Sequence, residues 1–257
     1  NYNVTVGDEA GTALTTGDQN VFVGYAAGDA TTTAGQNTAL GHNALGANIT
    51  GAYNTALGRA ALELNTGGSN TAVGGDALTA NTSGASNTAV GISALDANTT
   101  ASNNTGVGAN ALGANTTGAQ NTAVGSLSLD ANTTGYYNQA FGYGAVGTNT
   151  TGNHLVAMGF EALGANTTGS YNVAIGNYAL DANTTADNNT GLGYSALTLN
   201  TTGTQNVGVG TNALGANTTA SNNTAVGHYA LLANTTGASN VAVGNNALDA
   251  NTTASNN

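Results

Sequence analysis

The chain repeats itself with a short, nearly constant period, and that period limits the fold more than any other feature. Counted from the asparagine of N-[TV]-[AG]-[VLI]-G, coils open at residues 3, 20, 37, 54, 70, 87, 104, 121, 138, 155, 172, 189, 206, 223 and 240. These are fifteen coils of seventeen residues, with Asn257 standing where another would open. One interval, Asn54 to Asn70, is a residue short, and one leading position holds Leu155 instead of Asn. So short a unit leaves no room for a helical hairpin, and its apolar residues alternate with a period of two, the mark of strands. Positions 2 and 4 carry Thr or Val and then a larger apolar residue, as in Thr88 and Val90 or Val173 and Ile175. Position 5 is glycine in every coil, Leu recurs at position 9 (Leu95, Leu112, Leu214), and an NTTG corner follows. The expected architecture is all-β: a parallel β-solenoid, or β-roll, of about fifteen coils with two short strands and two corners each. It reads as a single repeat domain over 1–257, with 1–36 as degenerate first coils, where Gly11 and Gly28 replace the Leu, and 37–257 as regular coils. At about 4.8 Å per coil the stack is expected to extend roughly 70 Å.

Alternation also suggests which side chains face inward. With positions 4 and 9 assigned to a thin apolar core, positions 3 and 8 face outward. Ala72, Ala77, Ala89, Ala94, Ala174 and Ala179 then form flat stripes suited to close lateral packing against another copy. Identical Asn and Thr side chains lie above one another and chain their amides and hydroxyls. The constant glycine at position 5 calls for a positive φ or a close backbone approach. Position 15 makes no such demand, because Ala101, Ala186, Ala220 and Ala254 stand there.

Composition narrows the functions. Only 5% of residues are charged, against about 25% in ordinary soluble domains. A single basic residue, Arg59, among twelve acids gives a net charge of −11, which argues against nucleic acid and anionic membranes as partners. No apolar run is long enough for a membrane helix. There is no cysteine, and the only methionine is Met158; a chain opening at Asn1 suits a processed, exported protein.

Catalysis needs unlike groups converging on one point, whereas this repeat spreads like groups along a line. His42, His154 and His228 fall in different coils, so no catalytic, cofactor or metal residues are assigned. Acids recur at position 10 (Asp29, Glu63, Asp96, Asp130, Asp181, Asp249) but never in neighbouring coils, and the nonapeptide of calcium-binding rolls is absent. Adjacent threonines such as Thr99 and Thr100 raise ice binding. Sequons at Asn98, Asn115, Asn132, Asn166, Asn183, Asn217, Asn234 and Asn251 raise glycosylation. The unusual side chains gather at positions 6, 7, 16 and 17. Tyr25, His42, Arg59, Tyr143, Phe160, Tyr178, Tyr194, His228 and Tyr229 are candidates for surface recognition at one corner. Tyr53, Tyr136, Tyr137, His154 and Tyr171 lie at the other.

The stretch SYNVAIGNYAL, Ser170 to Leu180, and the many NTAVG copies resemble the head repeats of trimeric autotransporter adhesins. Those heads are left-handed β-rolls built on an SVAIG-type strand, which Asn172 to Gly176 match at all but the first residue. The repeat is similar also to NTA[VL]G-x-x-AL repeats of phage-like tail fibres. The adhesin coils are shorter, and the NTT corner is extra. The resemblance implies an extracellular or virion-surface segment, one of three chains, used for attachment. Residues and resemblance together point to a non-enzymatic structural fibre or adhesin that binds itself, with cell-surface or matrix glycans as further partners. The alternatives are an ice-binding or glycan-binding solenoid and a tail-fibre shaft. Because the last coil stops in phase with the first, head-to-tail contact is expected to involve Asn1, Tyr2, Asn3, Asn256 and Asn257.

Overall fold

A computed structural model describes residues 2–257; Asn1, the first residue of the expected axial contact, lies outside them. The chain is a β-solenoid whose strands form one parallel sheet of fifteen, in sequence order. Clustering of the backbone gives two compact units. The first holds the residues through Leu127 with Asn132–Thr134, and the second holds Ser128–Ala131 with Gly135–Asn257. Strands of the first unit are β1 (Val4–Val6), β2 (Val21–Val23), β3 (Thr38–Leu40), β4 (Thr55–Leu57), β5 (Thr71–Val73), β6 (Thr88–Val90), β7 (Thr105–Val107) and β8 (Thr122–Val124). Those of the second are β9 (Gln139–Phe141), β10 (Val156–Met158), β11 (Val173–Ile175), β12 (Thr190–Leu192), β13 (Val207–Val209), β14 (Thr224–Val226) and β15 (Val241–Val243). Register places each coil position over itself, as in Thr88↔Thr105, Ala89↔Gly106 and Val90↔Val107.

The glycine at position 5 ends each strand, and both reasons expected for it hold. Gly91 has φ +138, and a Cβ there would stand 2.5 Å from the carbonyl oxygen of Gly108 in the next coil. No L-residue fits a backbone packed that closely.

The inward and outward assignments differ from expectation. Position 3 points in and position 4 points out: Ala72, Ala89 and Ala174 are wholly buried, as are Ala77, Ala94 and Ala179 at position 8. These six alanines therefore cannot form a lateral interface. The position-1 asparagine fixes the alternation. Asn189 turns inward, where its Nδ2 donates to the Gly203 carbonyl at 2.8 Å and its Oδ1 accepts the Asn206 N–H at 2.9 Å. One amide thus closes its own coil and ties it to the next. With position 1 inside, position 3 follows inside and positions 2 and 4 face out. The narrow interior admits one large side chain in most coils, the Leu at position 9, with Ala at positions 3 and 8; the coil that opens at Leu155 buries both Leu155 and Leu163.

A second buried amide ladder runs at position 12. Asn115 Nδ2 donates to Asn98 Oδ1 at 3.0 Å and to the Gly118 carbonyl at 2.9 Å. Such polar columns are tolerated inside because their members are paired. Thr31, in the same column, has a buried hydroxyl without a partner. The NTT corner adds a hydroxyl ladder, in which Thr99 Oγ1 donates to the Thr116 carbonyl at 3.2 Å.

Each coil holds one strand, not two. Around Leu at position 9 the backbone is left-handed at alternate residues, as at Asn110 (φ 55) and Leu112 (φ 57). Extended pairing is impossible there, yet the amides are still used. Asn110 N–H donates to Ile92 of the previous coil, Leu95 N–H to Ala111 of the next, and Gly113 N–H to Asn110 of its own, at 3.0, 3.0 and 3.1 Å. Gly11 and Gly28 share this conformation (φ 61 and 58), so glycine is locally favoured where it replaces Leu. The missing volume is supplied by Phe22, fully buried at position 3, whose ring leaves no room for a Cβ on Gly28. The second coil is repacked at nearly constant volume rather than loosened.

Candidate interaction surfaces

Four columns of outward side chains flank and cross the sheet, at positions 17, 2, 4 and 6. Position 4 is apolar in all fifteen coils, from Val6 to Val243. Its side chains remain open to solvent: Leu40 is 45% exposed, Met158 48% and Leu192 42%. Position 2 is Thr in the six consecutive strands β3 to β8, and none of those six hydroxyls bonds to another of the described residues. No Asp, Glu, Lys or Arg occurs at positions 17, 2 or 4; the charges bordering the face are Asp8 and Arg59 at position 6.

The candidate corner residues are brought together in short ladders. In the first unit Tyr25 stacks on His42 with centroids 5.2 Å apart, and Arg59 pairs with Asp76 one coil on. A hydrogen bond with Glu9, and then its negative charge, raise the Tyr25 hydroxyl above its usual range. In the second unit Tyr143 stacks on Phe160 at 5.4 Å, Phe160 meets Tyr178 edge-on at 5.4 Å, and Tyr178 meets Tyr194 edge-on at 6.2 Å. His228 lies against Tyr229 at 3.8 Å, and its Nδ1 is 3.1 Å from Asn245 Oδ1.

The other corner forms the densest cluster. Tyr137, His154 and Tyr171 stack one above another at 5.1 and 4.9 Å, tilted by 22° and 6°. Tyr136 is perpendicular to Tyr137 and His154 and almost equidistant from both, at 5.4 and 5.6 Å, so it stands beside the stack and not on its end. A shallow groove of about 310 Å³ runs alongside, lined by Tyr137, Gln139, His154 and Val156. Because the rings cover one another's faces, this column offers solvent mainly edges, hydroxyls and imidazole nitrogens. Sugar recognition by open aromatic faces, the chemistry that drew attention to these corners, has little to work with here.

Burial, with Asp76 as a smaller cause, raises the Asp96 carboxyl above its usual range; burial and then Glu161 do the same for Asp181, and burial alone for Asp130. Asp18 is lowered instead, chiefly by the N–H of Tyr2, which donates to its Oδ1 at 2.6 Å. Among the described residues no three His, Asp or Glu side chains are grouped to hold an ion. The sequon asparagines Asn98, Asn115, Asn166, Asn183, Asn217 and Asn234 are wholly buried with their amides in the ladder, so glycosylation of the folded coil is excluded there. At the ends of the chain, Asn257 N–H donates to Asn240 Oδ1 at 3.0 Å and Val241 N–H to the Asn257 carbonyl at 2.9 Å, the bonds that recur between coils. Asn3 Nδ2 donates to the Gly17 carbonyl at 2.8 Å, closing the first coil, and Asn256 N–H reaches Ala238 at 3.0 Å.

Sequence reasoning overlooked the strand face itself. The signal was present: an asparagine held at position 1 in fourteen of fifteen coils is a structural amide, and an inward position 1 sends position 4 outward. The chain matches no protein-family model, no curated protein and no solved structure. Among the described residues no helix is long and apolar enough to cross a membrane.

Proposed function

We propose that the chain is a non-enzymatic structural segment of an extracellular or surface-borne fibre or adhesin, and that copies associate laterally through the outward face of the sheet. One observation carries this reading: the unbroken apolar column at position 4, exposed beside an uncharged column at position 2. Its size is adequate. The eight strands of the first unit, about 4.8 Å apart, and a strip at most about 20 Å wide present roughly 700 Å². Standard interfaces take about 600–1,000 Å² from each partner, so this face reaches the lower end of that range. Charge favours the same face. Copies of net charge −11 repel through the acids of the corners, while the sheet face allows a like-charged copy to approach without opposing charges. Extracellular location and glycan partners rest on the resemblance to adhesin heads.

Sedimentation and light scattering test the association. The triple variant Val90→Lys, Val107→Lys, Val209→Lys should keep the circular dichroism of the parent and sediment as a monomer. A monomeric parent at tens of micromolar would sink the proposal.

A second reading, binding to ice, draws on the unspent Thr column. Tetrahedral water with hydrogen bonds of about 2.75 Å has second-neighbour oxygens about 4.5 Å apart, close to the roughly 4.8 Å step between threonines. The two readings compete for one face. A monomer that inhibits ice recrystallisation would favour the second.

A further inference from the structure

In the second unit the position-1 asparagine bonds in two directions. Asn172 shows both: its Oδ1 accepts the Asn189 N–H at 2.9 Å, and its Nδ2 shares the Ala186 carbonyl with Asn183 Nδ2, at 2.7 and 3.1 Å. Leu155 can do neither. The wholly buried Asn172 N–H finds no acceptor among the described residues, and the Gly169 carbonyl keeps only Asn166 Nδ2, at 3.0 Å. The bond from the Val156 N–H to the Asn172 carbonyl is 3.0 Å, against 2.8 Å for its counterparts at Gln139, Val173, Thr190, Val207 and Thr224. Leu155 fills the interior, but apolar contact is non-directional and supplies no bond to the next coil. Buried N–H groups are almost always paired, so an orphan in a regular repeat singles out its boundary.

A second weakness falls at the same place. Glu161, in the coil of β10, and Asp181, in the coil of β11, both approach Gly164: a Cβ there would lie 2.9 Å from Asp181 Oδ1 and 3.5 Å from Glu161 Cβ. Two acids thus meet across the boundary, and the second unit has no lysine or arginine to offset them, because Arg59 lies in the first. The corner bond that crosses here, Ser170 N–H to Asp187 Oδ1 at 2.6 Å, has a counterpart in Thr204 N–H to Ser221 Oγ at 3.0 Å, so it does not set this boundary apart.

We infer that the second unit has a built-in joint between β10 and β11, the boundary at which it opens before any other from β9 to β14. Solenoid coils hold only their neighbours, so a deficit at one boundary is not shared along the stack. In the fibre proposed above, such a joint decides where the second unit yields first under load. The joint itself needs only a single chain, and its test does not depend on that reading.

Hydrogen exchange reads each boundary separately. The N–H groups of Val156, Leu163 and Ala165 donate across the joint, to Asn172, Ala179 and Asp181; those of Thr190, Leu197 and Leu199 do the same between β12 and β13, to Asn206, Ala213 and Gly215. Corrected for intrinsic rates, the first three should exchange at least tenfold faster. Leu155→Asn installs the residue that opens fourteen of the fifteen coils, so the fold is expected to survive, and circular dichroism checks it. It should slow the first three at least fivefold and leave the second three unchanged. Adding Glu161→Gln should bring the two sets within threefold of each other. Conversely, Asn189→Leu should speed Thr190, Leu197 and Leu199 at least fivefold, and this decides the matter even if Leu155→Asn fails to fold. Equal rates in the parent overturn the joint. So do a tenfold difference that survives both substitutions, a Leu155→Asn variant that slows both sets alike, and an Asn189→Leu variant that changes nothing.

Discussion

Removing one amide from the position-1 ladder isolates what holds coil to coil. In Asn189→Ala the Asn206 N–H loses the Oδ1 that accepts it at 2.9 Å, in an interior without solvent. An orphaned buried donor costs about 1–3 kcal/mol. The Gly203 carbonyl loses Asn189 Nδ2 but keeps Asn200 Nδ2 at 2.9 Å, so this side of the break adds little. The void left by the shortened side chain adds about 1 kcal/mol, for a total of about 2–4 kcal/mol. Asn189→Leu should cost less, about 1–2 kcal/mol, because apolar volume fills the site as Leu155 does at the same coil position, fully buried. Solenoid coils open locally, so hydrogen exchange is the right assay. Protection should fall most at Asn206 and its neighbouring coils and be unchanged several coils away. Unchanged Asn206 protection, or Asn189→Leu proving as stable as the parent, would refute the view that the amide ladder and not mere filling ties the coils together.

Three further outcomes are expected. Thr31→Val removes a buried hydroxyl without a partner and should stabilise the first coils by about 1 kcal/mol in local exchange; destabilisation would show that the hydroxyl has a use. Gln120, at φ +60 and exposed, should gain about 0.5–1 kcal/mol as Gly, and Asn103, at φ +62 in the preceding coil, should gain less, because Asn tolerates the left-handed region; equal gains in a urea series would contradict this. Asp181, like Asp96 and Asp130, has its folded pKa raised by burial, so the folded chain binds more protons than the unfolded one between the two values: stability falls as pH rises through that window and is fully restored below the unfolded value. The urea midpoint should therefore rise from about pH 7 to about pH 4, and Asp181→Asn should raise it at pH 7 and shrink the difference; a midpoint that drops on mild acidification goes against the assignment.

The period, the parallel stacking, the glycine at position 5 and the amide and hydroxyl columns were all legible in the sequence, because each depends on like residues lying over one another. The second strand was not. Leu at position 9 reads as a strand residue, but Leu112 and its counterparts adopt φ near +55, and the stacking bonds between coils hold bulky side chains in a conformation that local preference alone disfavours. The corner ladders were half legible. Position 17 already aligned Tyr137, His154 and Tyr171, but only the geometry revealed that their faces are spent on each other.

The inverted interior has the larger consequence. In most sheets the bulkier apolar residue of an alternating pair marks the core, because burial returns about 25 cal/mol for each Å² of apolar surface. Here the coil is too narrow for that rule. Its interior is filled by Ala, one Leu and two asparagines whose amides are fully used, and the Val, Leu, Phe, Met and Ile of position 4 are left outside in every coil. Some of that exposed surface could be incidental in a single coil, since much of any protein surface is apolar. Stacked in register, the position-4 residues make a column of exposed apolar surface, the kind of feature that commonly marks an interaction surface. The lateral association proposed above would cover it with another face of the same spacing.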